Sequence, residues 1–478
     1  ADAKGVDGYR ITLDFPSFFP IVSYADSREL REEVYTAFVT RASDQGPNAG
    51  KFDNAPILEE ILALRQELAR LLGFDTYADY SLTTKMADSP AQVLDFLEDL
   101  ARRAKPQAQK EFAELSAYAR DELGIDALKP WDVAYASEKL REARYAISQE
   151  QLRPYFPAPR VVDGLFQVVE RLYNVQVKED SSAPSYHDDV RFFRITEQGT
   201  PIAGFYLDLY AREGKRGGAW MADCRVRRKT ENGVQLPVAF LTCNFTAPVG
   251  GKPALLTHDE VTTLFHEFGH GLHHMLTKQE VADVSGINGV AWDAVELPSQ
   301  FMENYCWERE GLDLLAKHVD TGEPLPDVLF ERLQAAKNFQ SAMGMVRQIE
   351  FSLFDLRLHH ELEAPSASDV QTLLDDVRRQ TSVVPVVDFN RFQNSFSHIF
   401  AGGYAAGYYS YKWAEVLSAD AWSAFEEAGI FDPDTGQRFR EEILEQGGAR
   451  DAAELFRAFR GREPSVEPLL RHSGIRAA

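Results

Sequence analysis

The sequence predicts a mainly α-helical protein with one small antiparallel sheet. Three features predict that class. Apolar residues recur at helical spacing through 54–73, 89–123 and 148–174. β-branched and aromatic residues then crowd into short runs between about 190 and 245. Helical spacing resumes after Pro253 and holds to the end. With 478 residues, 44% hydrophobic and 12% aromatic, the chain has ample apolar material for a large core or for two or three packed lobes.

The first strong helix is 54–73, NAPILEEILALRQELARLLG. Pro56 suits a first turn, the leucines keep helical spacing, and a glycine closes the segment. Residues 89–123 continue as long amphipathic helices with Glu, Lys and Arg on the wet face. The Pro-rich stretch RPYFPAPR interrupts the next helical segment, 148–174. From Ser181, SSAPSYHDD reads as a loop. VRFFRI, IAGFYLDLY and VQLPVAFLTCNF follow as strands, parted by the turn signals EQG and ENG. TGEP (321–324) and DPDTGQ (432–437) punctuate the helices of the last third. There is no internal repeat and no low-complexity tract. The pattern divides the chain into a helical lobe (1–180), a small sheet (181–250), a histidine-bearing helical segment (251–320) and a helical C-terminal part (321–478).

Bulk chemistry excludes several classes. A formal charge of −23 repels phosphate backbones, so nucleic acid is not a partner, and it disfavours anionic membranes. No window approaches 18 apolar residues, and the first residues, ADAKGVDGYRITLDFP, lack the basic and apolar regions of a signal peptide. Cys224, Cys243 and Cys306 form no CxxC clip and read as buried small hydrophobes in a reducing compartment. The expectation is a soluble, cytoplasmic monomer.

The stretch TLFHEFGHGLHHM, Thr263 to Met275, holds four histidines. Thr257 and Glu260 form a capping-box pattern just before it. Within the helix, His266-Glu267-Phe268-Gly269-His270 reads HExxH. Residues four apart share one helical face, so both imidazoles can close on a single ion, zinc by default, with Glu267 beside them to take a proton from water. His273 and His274 are unsuitable as the third ligand. Seven residues advance a helix about 10.5 Å, too far for three donors on one tetrahedral ion. The sequence after His270, GLHHML, also departs from the HExxHxxGxxH pattern.

The third ligand must come from another element. In DAVELPSQFMENY, Asp293 can cap a helix, Glu296 falls in its first turn, and Glu303 lies seven residues on, on the same face. Two carboxylates in so apolar a segment need partners. Glu296 is assigned as the third ligand. Glu303 is a candidate to accept the other N–H of a ligating histidine, or else belongs to an ordinary ion pair. Two histidines and one glutamate leave a fourth position open, the mark of a catalytic rather than a structural site.

HEFGHGLHHML followed by GINGVAWDAVELPSQFMENYCWE closely resembles the thimet oligopeptidase family of zinc peptidases. The likeness extends to TRASDQGPNAGKFDN (40–54), GFYLDLYAREGKRGGAWM (204–221), FSHIFAGGYAAGYYSYKW (396–413) and FRGREP (459–464), and covers essentially the whole chain. The resemblance implies two helical lobes flanking a deep channel, with one zinc ion on its floor. It implies hydrolysis of internal bonds in short unstructured peptides and poor action on folded proteins. It makes His266, His270 and Glu296 the zinc ligands and Glu267 the catalytic glutamate. It also brings His398, Tyr404 and Tyr411 to the substrate carbonyl, with Tyr408 at the substrate. From the residues alone these tyrosines, on one face of a helix after Gly402-Gly403, also read as ordinary core groups. Family members carry a further helical region ahead of the aligned part, and this chain begins inside the shared region.

The expected mechanism has Glu267 as general base and then acid, with a tyrosine or His398 donating to the oxyanion. VAFLTCNF is expected to act as an edge strand that pairs with substrate backbone, with the Gly217-Gly218 loop flanking the cleft. Three alternatives stay open: a dipeptidyl carboxypeptidase of the same family, which needs a cationic or tyrosine pocket for the substrate C-terminus; a peptide-binding protein without catalysis; and a structural zinc protein, which needs a fourth protein ligand.

Overall fold

In the computed structural model, which describes residues 7–9, 11–13 and 15–475, local signals set the helix boundaries. Helix α1 (Ala55–Leu71) starts with Pro56 in its first turn, where a missing N–H costs nothing. Helix α2 (Pro90–Leu123) starts at Ser89, whose side chain accepts from the Gln92 N–H. It ends at Gly124 in the left-handed region, φ 67°. The expected plural helices of 89–123 are one helix of 34 residues, which runs on through Pro106.

The apolar side chains gather into two large cores. One joins α1, α2 and helix α6 (Ser341–Glu361) through Leu62, Leu97, Leu100, Ile349 and Leu353. The other joins helix α3 (Ala158–Tyr173), the sheet, helix α4 (His258–Met275) and helix α5 (Leu297–Glu303) through Leu165, Phe205, Phe268 and Phe301. Helix α7 (Ser410–Ala428) passes from one to the other. Val416 belongs to the first core, Trp422 and Phe425 to the second, and Trp413 packs against both. The cores therefore cut across chain order. Helix α3 packs with the sheet rather than with the helices before it, and residues beyond 321 serve both cores.

Seven strands are present among the described residues: β1 (Gln176–Glu179), β2 (Arg191–Glu197), β3 (Thr200–Tyr210), β4 (Trp220–Arg225), β5 (Arg228–Thr230), β6 (Gly233–Gln235) and β7 (Val238–Phe245). Strands β5 and β6 form a separate hairpin, and the main sheet has the order β1-β2-β3-β7-β4. The expected antiparallel sheet is in fact mixed, because β3 and β7 run parallel. After β4 and the hairpin, the chain returns to insert β7 between β3 and β4, so β7 must run with one neighbour. The expectation that VAFLTCNF forms an edge is corrected for the same reason. Strand β7 is interior, and β1 and β4 are the edges. Strands β1, β4 and β5 lie outside the expected runs, and VQLPVAFLTCNF divides into β6 and β7 at Leu236 and Pro237.

Two glycines let α4 sit close to its neighbours. A Cβ on Gly271 would lie 2.9 Å from Leu241 Cδ2 on β7. A Cβ on Gly269 would lie 2.5 Å from Ser299 Cα and closer still to Pro298 O. The glycine inside HEFGH is thus where α5 crosses α4. Cys243 and Cys306 are buried free thiols as expected, but Cys224 is exposed, at the outer end of β4. Among the described residues, no helix is long and apolar enough to cross a membrane.

Candidate metal centre

The capping box forms as its spacing predicts. Thr257 Oγ1 accepts the Glu260 N–H at 3.1 Å, and the Glu260 carboxylate accepts the Thr257 N–H at 2.8 Å. From that start, α4 carries His266 and His270 on one face, with ring centroids 5.0 Å apart. Helix α5 crosses at Gly269 and delivers Glu296 at its N-cap, one position before the expected first turn. Glu296 Oε2 lies 3.3 Å from His266 Nε2 and 3.0 Å from His270 Nε2. The Ser299 hydroxyl donates to the same oxygen at 2.9 Å. One ligand atom from each of His266, His270 and Glu296 lies within 4.8 Å of the others.

These distances fit a metal. A tetrahedral zinc ion with bonds of about 2.0–2.1 Å spaces its ligands by roughly 3.3–3.4 Å. The electrostatics agree. Burial alone would lower His266, but Glu296 and Glu303 outweigh it and raise the imidazole to about 10. A site that binds a proton this strongly is a place for positive charge. Glu296 itself is held well below the usual carboxylate range: burial pushes it up, but hydrogen bonds to both histidines pull it further down.

Glu303 Oε1 sits 2.7 Å from His266 Nδ1, where it accepts that N–H and leaves Nε2 facing Glu296. Glu267 is buried one residue along α4. Burial raises its carboxyl, opposed first by His266 and His270, with the nearby Met221 backbone on edge strand β4 also lowering it. His273 and His274 do not join the cluster. His273 has no bonded ring nitrogen among the described residues, and burial lowers it to about 3. His274 Nε2 pairs with Arg225 O at 2.9 Å and ties α4 to the end of β4.

Residues 404–409 are a turn, not the helix that the tyrosine spacing suggested, since α7 begins at Ser410. Tyr404 and Tyr411 stack with centroids 4.9 Å apart, and Trp292 packs edge-on to Tyr404 at 5.2 Å. Burial, aided by the nearby Glu296 carboxylate, raises both phenols, so both remain proton donors. Tyr408 differs: it is buried and its hydroxyl donates to Gln348 Oε1 at 3.1 Å, with its ring 5.2 Å from that of Tyr411. His398 is exposed on the short helix Ser397–Phe400, its ring 6.2 Å from Tyr404. Gly217 and Gly218 lie in the loop that leads into β4. Gly218 has φ 94°, and the Asn244 amide donates to its carbonyl at 2.6 Å.

Asp293 is not a cap. Its carboxylate accepts the N–H groups of Met86 and Ala87 at 2.6 and 3.0 Å and the Tyr409 hydroxyl at 2.7 Å. Sequence reasoning missed Met221 and Ser299. A serine three residues after Glu296 was the available signal for the second.

Peptidase family M3 matches residues 21–475. Oligopeptidase A of Escherichia coli (strain K12) is 58% identical over 478 residues, covering 100% of this chain and 70% of that protein. Dipeptidyl carboxypeptidase of the same organism is 35% identical over 483 residues, covering 99% of this chain and 69% of that protein. Among solved structures, PZ peptidase A with inhibitor 2 shares the fold, with a TM-score of 0.63 at 17% identity over 98% of this chain and 71% of that one. On the family match, the relatives at 58% identity and the HExxH helix facing Glu296, the chain belongs to peptidase family M3.

Proposed function

We propose that the chain is a zinc-dependent oligopeptidase that cuts internal bonds of short, unstructured peptides, acting as a cytoplasmic monomer. What carries the reading is the convergence of His266, His270 and Glu296, with Glu267 on the same helix. Two imidazoles and one carboxylate are a donor set that zinc favours, and three protein ligands leave a position for substrate chemistry. When bound, zinc supplies Lewis acidity that polarises water and the scissile carbonyl.

The chain's own residues do the rest. Glu267 takes the proton of the attacking water and delivers it to the leaving amine. Its raised carboxyl brings its proton affinity nearer to that of the groups it exchanges with. Tyr404 and Tyr411 donate hydrogen bonds to the developing oxyanion, and His398 approaches from the turn beside them. Tyr408 backs Tyr411 against the core. Substrate backbone pairs with edge strand β4, not β7. The nearness of the Met221 backbone on β4 to Glu267 supports that placement, and Gly217 and Gly218 flank it. The two cores form the walls of the channel. The metal-binding segment 251–320 belongs to one wall and the tyrosine turn to the other.

The test is product analysis on a ladder of unstructured peptides of about five to forty residues, beside Glu267→Gln. Internal cuts that stop above some length, with Glu267→Gln slower by about a thousandfold or more, are expected. Stepwise loss of C-terminal dipeptides would instead assign the activity named for the 35%-identical relative.

A further inference from the structure

The tyrosine turn is strained, and one buried carboxylate holds it. Ala406 sits at φ 48°, a left-handed conformation that an alanine adopts only where its surroundings impose it. Asp355, on α6 and fully buried, accepts three consecutive backbone N–H groups of this turn. Oδ1 takes Ala406 and Oδ2 takes Gly407 and Tyr408, each at 2.9 Å. Charge-assisted bonds of this kind are the strong ones.

The carboxylate is itself oriented. His359 Nδ1 lies 3.1 Å from Asp355 Oδ1 and 2.8 Å from its backbone oxygen. Arg65 Nη1 lies 3.0 Å from His359 Nε2. Arg65 can only donate, so Nε2 accepts and Nδ1 carries the proton, which it donates to the Asp355 backbone oxygen with carboxylate Oδ1 beside it. The other arm of the same guanidinium donates to Ile399 O at 2.8 Å, beside His398. Arg65 and His359 therefore tie Asp355, the tyrosine turn and the short helix of His398 into one network.

We propose that Asp355 is a positioning residue for peptide hydrolysis: through the N–H groups of Ala406, Gly407 and Tyr408 it aims Tyr404 and Tyr411 at the developing oxyanion, with His359 and Arg65 fixing its orientation. This rests on the oxyanion role given to the tyrosines. An asparagine at 355 keeps the size but puts an amide N–H against backbone N–H groups that need an acceptor.

The experiment is steady-state kinetics of the full, zinc-loaded chain on an internally quenched peptide, with metal content measured on every sample. The variants are Asp355→Asn, His359→Gln, Tyr411→Phe and the double variant Asp355→Asn/Tyr411→Phe. Asp355→Asn is expected to lower kcat by about ten- to a hundredfold, as a small misplacement of an oxyanion donor does. KM should stay within about threefold and metal content at one per chain. The double variant should be no slower than the slower single one, because Asp355→Asn already misplaces the donor that Tyr411→Phe removes. Multiplied losses, a lost metal or a wild-type kcat would overturn the proposal. If Asp355→Asn does not fold, His359→Gln decides on the same readouts, with a several-fold loss of kcat expected and none overturning it. Wild-type kcat in Tyr411→Phe would overturn the oxyanion role of Tyr411, and with it the part of the proposal that joins this tyrosine to Asp355. A damaged Tyr411→Phe beside an intact Asp355→Asn would overturn only the positioning role.

Discussion

Glu303 decides which nitrogen of His266 is offered to a metal. With the Nδ1 proton held at 2.7 Å, Nε2, which faces Glu296, is the nitrogen left to a metal. Glu303→Gln keeps the shape but removes the charge and half of the accepting capacity. It is expected to weaken metal binding by about ten- to a hundredfold, read by competition with a chelator. Unchanged affinity would make Glu303 an ordinary ion pair. Much of this centre was legible, because helical periodicity alone puts His266 beside His270 and Glu296 on the face of Glu303. Asp293 was misread for the converse reason. Its partners, Met86, Ala87 and Tyr409, lie far away in sequence, and a capping preference is a local signal. Tyr408 also shows the limit: spacing grouped it with Tyr404 and Tyr411, while its hydroxyl turns to Gln348.

At the scale of elements, the site depends on how closely two helices cross. Gly269 allows α5 to pass over α4, and the backbone of Pro298 and Ser299 fills the space that a side chain would need. Those atoms are main chain, so they cannot swing aside. Gly269→Ala is expected to cost about 1–3 kcal/mol of stability, as overpacking does, and to push Glu296 away from the histidines. Thermal melting and metal stoichiometry check it together, and a variant matching wild type in both would show that α5 can shift freely. The helices themselves were readable from caps, prolines and periodicity. Sheet order was not. The near-continuous burial of β7 marks an interior strand, but its slot between β3 and β4 is set by the chain returning after the hairpin, a long-range event with no local signature.

On the scale of the whole molecule, the proposed site draws on two separate cores. The candidate ligands stand on α4 and α5, in the core that holds the sheet, while the tyrosine turn is anchored in the core of α2 and α6. Asp293 bridges them, accepting from Ala87 and Tyr409 of the one while it leads into α5 of the other. Metal therefore stabilises one core directly and the other only through such bridges. A ligand bound only by the folded state adds about 4 kcal/mol at a thousandfold excess over its Kd. Without it, His266, Glu296 and Glu303 are left as a half-buried cluster that a proton must balance. Hydrogen exchange of the chelated protein is expected to show faster exchange in α4 and α5, with α2 and α6 close to their metal-loaded rates. Equal acceleration in all four helices would mean that the two cores unfold as one unit. The bridges at Asp293 and along α7 would then carry as much of the coupling as the metal does.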